Sequence, residues 1–108
     1  MSIDIGAILQ TAVAAATDAV KKTAPQVEDF LREIAKGHEA AIRSLAEALA
    51  SGDIDEETFK DEMDDEAKTL EAELQAVAVM GKAIAQRAIN AFRKALIDGI
   101  TSAIKAAI

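Results

Sequence analysis

A lone histidine, a dense run of carboxylates and an acidic loop around a glycine are the features of this sequence that could do chemistry. The histidine is His38; the carboxylates are Glu62, Asp64, Asp65 and Glu66, with Glu33 and Glu39 able to oppose them from an earlier helix. The loop reads Ser51-Gly52-Asp53-Ile54-Asp55-Glu56-Glu57-Thr58-Phe59, which has the look of half a calcium-binding EF-hand. An EF-hand needs oxygen ligands at its first three odd positions and a bidentate Glu at its twelfth. With Gly52 at the sixth position, Leu49 and Thr58 occupy ligand positions they cannot fill. Starting the loop at Asp53 instead puts Thr58 where the sharp turn wants glycine. Neither frame binds calcium.

The carboxylate run raises the question of a di-iron bundle, whose ligands include Glu-x-x-His pairs facing the core. Three residues before His38 stands Ala35, so the pair is missing and a solvated acidic face is the expectation. His38 lies on an apolar seam, where a structural bond to Glu66 or Glu71 is expected and a pH-sensitive association would follow. Nothing reads as a Ser-His-Asp set, and Gly6, Gly37, Gly81 and Gly99 are isolated rather than gathered in a phosphate loop. The sequence therefore predicts no catalytic, cofactor-binding or metal-ligating residue, and a protein that is not an enzyme.

The elements that carry these residues are helical throughout. Half of the 108 residues are apolar, mostly Ala, Ile, Leu and Val, with one Pro, three Phe, and no Trp, Tyr or Cys. Such a composition favours helix, and no segment alternates as a half-buried strand would. One domain spanning 1–108 is expected, with helices at about 3–22, 25–50 and 55–107 and a turn at 51–54. Thr23 and Gln26 have capping-box spacing around Pro25, where the first helix either kinks or breaks. At the turn, Gly52 suits a left-handed helix end and Asp55 a helix start, with Ile54 and Phe59 as a hydrophobic staple.

Two seams follow heptad spacing: Val27, Leu31, Ile34, His38, Ala41, Leu45, Ala48, and then Phe59, Met63, Ala67, Leu70, Leu74, Val77, Met80, Ile84. An antiparallel register in which facing numbers add to about 108 pairs large residues with small ones near the ends, as close packing prefers. It sets Ala16 by Phe92 and Leu9 by Gly99. The fold predicted is all-α, a long antiparallel helical hairpin assembling into a four-helix or larger bundle, with a compact three-helix bundle as the alternative. A hairpin leaves apolar surface uncovered at its ends, and such surface marks an interaction site. The partner interface is accordingly expected at Ile5, Ile8, Leu9, Val13, Ile89, Phe92, Leu96, Ile100 and Ile104.

Charge narrows the partners. Residues 1–50 carry a net −2, residues 51–75 a net −9 and residues 76–108 a net +4, giving −7 overall. An acidic chain without clustered Lys and Arg is a poor match for nucleic acid. The uncharged run from Ile5 to Thr17 falls short of the roughly 20 residues a spanning helix needs, and Asp4 stands where a signal peptide would be basic. A cytoplasmic location is the expectation. The functions these features support are assembly through a homo-oligomer, first of all a dimer, or with a helical partner. An amphipathic protein on a lipid membrane or hydrophobic granule is the alternative, and a carboxylate metal-binding bundle a third.

Overall fold

A computed structural model describes residues 3–107, and among them the chain is all helix and loop. The helices are α1 (Ile5–Val20), α2 (Val27–Ser51), α3 (Glu56–Ala78) and α4 (Lys82–Ala107). Each packs on two neighbours in the cyclic order α1, α2, α3, α4, with α1 against α4 the most extensive contact. The all-α bundle expected from the seams is therefore present, and one chain supplies all four of its helices.

The bundle is the expected hairpin folded in half. A continuous helix over 55–107 would run for about 75 Å or more at 1.5 Å per residue. The longest dimension of the molecule is 40 Å. The expected helix is broken at 79–81, where Val79 takes the left-handed conformation at φ 51° and ψ 49°. That backbone costs a β-branched residue about 1–2 kcal/mol. Folding back instead buries Ala85, Ala88, Ile89, Phe92, Leu96, Ile97 and Ile100 of α4. Each large apolar side chain so covered is worth about 1.5–3 kcal/mol, so burial overrides the local penalty.

The first half of the chain turns back as well, at residues 21–26. Here the expected capping box does not form. The Thr23 hydroxyl donates to the Val20 carbonyl at 3.2 Å, and Gln26 precedes α2 without a side-chain cap. Glu28 and Asp29 in the first turn of α2 oppose its positive end instead. The predicted tip at 51–54 is present in detail. Gly52 is left-handed at φ 84°, and the N–H groups of Gly52 and Asp53 bond the carbonyls of Leu49 and Ala48, a Schellman ending. Asp55 caps α3 by accepting from the Thr58 N–H at 2.7 Å. Phe59 is fully buried and Ile54 packs against the core beside it.

Both halves keep the expected register. In the α2–α3 half His38 reaches Glu66 and Glu73, and in the α1–α4 half Ile8 lies over Gly99, so closely that a Cβ there would be 2.9 Å from Ile8 Cγ2. Small residues make this approach possible: Ala12 and Ala16 of α1 and Ala85 and Ala88 of α4 are all fully buried. Two layers result, an α1–α4 pair and an α2–α3 pair, with one apolar core between them.

Candidate functional site

His38 is held on the inner edge of α2, where its side chain is only 16% exposed between two glutamates of α3. Its Nδ1 lies 2.8 Å from Glu66 Oε2 and its Nε2 lies 3.0 Å from Glu73 Oε1. Carboxylates only accept, whereas a neutral imidazole has one donor and one acceptor nitrogen. Both bonds are satisfied at once only by the imidazolium. Burial by itself pushes the His38 pKa down, but the hydrogen bonds and charges of Glu66 and Glu73 together outweigh it and leave the pKa raised above 6.5. The arrangement is an ion-paired clamp between α2 and α3. It cannot hold one metal ion with three ligands, because the two ring nitrogens point apart and each already faces its own glutamate.

The expected partner of His38 was Glu66 or Glu71, and Glu73 takes the place of Glu71. Glu66 and Glu73 are seven residues, or two turns, apart and so share the face of α3 that meets α2. Glu71 is turned toward α4, where it lines a shallow groove with Asp64, Ile89 and Arg93. The spacing of seven was the available signal.

This clamp makes stability depend on pH with a definite sign. A histidine whose folded pKa exceeds its unfolded one contributes fully below the unfolded value and loses that contribution as pH rises through the folded value. The urea midpoint is expected to fall as pH is raised from about 6 to about 9. A Glu66→Gln, Glu73→Gln variant should flatten that slope. A midpoint constant through this range in the unmodified chain would show that the clamp is not formed.

Further carboxylates form ion pairs of their own. Asp64 pairs with Arg93 of α4, Glu39 with Arg43 at 2.7 Å, and Glu28 with Arg32 at 2.6 Å. The last two are the four-residue pairs the sequence suggests, and exposed pairs of this kind add only about 0.3–0.5 kcal/mol. The capping carboxylate of Asp55 is held below its ordinary pKa by the Thr58 backbone N–H.

The nine residues expected to form a partner interface lie elsewhere than on a free surface. Ile5, Leu9, Val13, Ile89, Phe92, Leu96 and Ile100 are buried in the core of this chain, and Ile8 and Ile104 are partly buried against it. The fold-back at 21–26 and 79–81 covers them with the chain's own α2 and α3, which an extended hairpin would leave to a second molecule. Among the described residues the large apolar side chains that stand exposed are different ones: Val79 (89% exposed), Val77 (50%) and Phe30 (36%). All three belong to the end of the bundle where α1 joins α2 and α3 joins α4. In the register of the His38 clamp, Phe30 is level with Ala78, and Val77 with Leu31. Sequence reasoning placed Val77 inside the seam and had no reason to single out Val79, because the break that exposes it was not foreseen. Around this end stand Lys21, Lys22 and Lys82, all exposed.

Among the described residues no helix is long and apolar enough to cross a membrane. No family model, curated protein or solved structure matches this chain.

Proposed function

We propose that this chain is a non-enzymatic assembly protein, acting by association with a further copy of itself or with a helical partner. The observation that carries this reading is the exposure of Phe30, Val77 and Val79, all three at the corner end of an otherwise well-covered bundle. Apolar side chains gathered in one exposed place mark a contact surface, whereas single ones scattered over a surface need no explanation. The interior supports the same reading, being filled by aliphatic side chains and two phenylalanines that hold the helices together.

Light scattering across a wide concentration range tests it. A mass above that of one chain, growing with concentration and lowered by Val77→Ser with Phe30→Ser, is expected. A single-chain mass at every concentration overturns self-association. Flotation with anionic vesicles distinguishes the lipid reading, since Lys21, Lys22 and Lys82 beside Val77 and Val79 also suit a charged lipid surface. Recovery of the protein with the vesicles would move the function from protein assembly to that surface.

A further inference from the structure

The way the chain crosses between its layers bears on how a second copy would be engaged, a question that rests on the self-association reading. The α1–α4 pair is joined to the α2–α3 pair at two places only, residues 21–26 and 79–81, and both are at the same end of the bundle. The pair can therefore swing away as one unit, with no change inside either layer.

Both corners keep helical character at their edges, although Pro25 would leave a kink in any helix continued through the first. In the first, Lys21 and Gln26 have right-handed helical dihedrals, and the Ala24 N–H bonds the Val20 carbonyl at 2.7 Å, the spacing of an α-helix. In the second, Val79 alone is left-handed, and a Cβ on Gly81 would meet nothing within 4 Å. The apolar stripe of α3 moreover runs through this corner without losing step: Leu70, Leu74, Val77, Met80 and Ile84 are three or four apart. The local pattern asks for continuous helix here, and the folded-back chain answers with a strained valine and two valines in solvent.

We infer that the protein forms a domain-exchanged dimer. The corner at 79–81 straightens, the corner at 21–26 opens with a kink kept at Pro25, and the α1–α4 pair leaves its own α2–α3 pair and packs on the α2–α3 pair of a second copy. A second copy is the occupant because it offers the same surface, residue for residue, that the departing pair uncovers. The contacts of α1 with α2 and of α3 with α4 are re-formed between chains, while those inside each pair stay within one chain. The left-handed strain at Val79 is released, and the opened corners of the two chains meet where Val77 and Met80 of both are covered. Leu9, Val13 and Ile89 then face a partner after all, as core.

The chain has no cysteine, so a pair introduced by Ala14→Cys and Lys36→Cys is unique. Both positions are exposed and line one groove between α1 and α2. The protein is brought to high concentration, its native mass measured, a short bis-maleimide added and the product run on a denaturing gel. A native dimer that yields covalent dimers is the expected result. A native dimer whose cross-links stay within single chains overturns the exchange and leaves self-association standing. A native single chain at all concentrations overturns both. Two corner variants should move the dimer in opposite directions. Val79→Gly, which suits the left-handed corner and disfavours helix, should weaken dimerisation by roughly a hundredfold or more. Gly81→Ala, which favours continuous helix, should strengthen it, and a side-by-side dimer would be indifferent to that methyl group.

Discussion

Phe92→Ala is expected to lower the unfolding free energy by about 3–5 kcal/mol. Phe30→Ala is expected to change it by about 1 kcal/mol or less, because Phe30 is exposed. The comparison holds the residue type fixed and varies only what covers the ring. Phe92 is fully buried on α4 and enclosed by both layers, so its loss leaves a cavity that fixed helices close only in part. Against a total stability of about 5–15 kcal/mol for a chain of this size, that is about a fifth or more. Urea titration followed by helical circular dichroism measures both variants. Equal costs at the two positions would mean that α4 is not enclosed as described.

The second large effect is a reversal of sign between two glycines. Gly37 sits in the middle of α2, exposed, with nothing within 4 Å of the position a Cβ would take. Gly37→Ala should therefore stabilise by about 0.5–1 kcal/mol, the usual penalty of glycine inside a helix. Gly99 is also inside a helix, and the same gain is available there. Its added methyl, however, would lie 2.9 Å from Cγ2 of Ile8. That methyl branches directly from the Ile8 Cβ and moves only if χ1 leaves its well or α1 shifts. Overpacking costs about 1–3 kcal/mol, so Gly99→Ala should be net destabilising by up to about 2 kcal/mol. In an Ile8→Ala background the obstruction is gone and Gly99→Ala should become stabilising, a coupling that a double-mutant cycle reads directly. Additive effects of Ile8→Ala and Gly99→Ala would contradict the close approach of α1 and α4.

Much of this fold is legible in the residues themselves. Seams spaced by three and four residues specify helices, and Gly52, Asp55, Ile54 and Phe59 specify the tip with its Schellman ending, cap and staple. A register counted from that tip pairs Leu45 with Met63, and it reaches Ile8 and Gly99 within one residue. What could not be read was the break at 79–81. Valine is among the residues least suited to a left-handed position, and the stripe through Val77, Met80 and Ile84 keeps helical step across it. The break is decided by the distant surfaces that α4 covers, a tertiary gain whose local mark is the single glycine Gly81. The burial of the residues expected at an interface has the same cause. Once the hairpin folds in half, Ile5, Leu9, Phe92 and Leu96 are covered within their own chain, and among the described residues Phe30, Val77 and Val79 are the large apolar side chains left exposed. His38 was legible as a paired histidine, and its second glutamate would have been found by counting two turns from Glu66.

The pairing of the first helix with the last has a consequence during synthesis. The α2–α3 hairpin closes through a short turn, residues 52–55, and can form as soon as Ala78 has left the ribosome. The principal mate of α1 is the last of the four helices to be made, so Leu9, Val13 and Ala16 wait half-covered until α4 emerges. Any nascent chain stalled before Lys82 presents that apolar face to chaperones and to its neighbours on the same messenger.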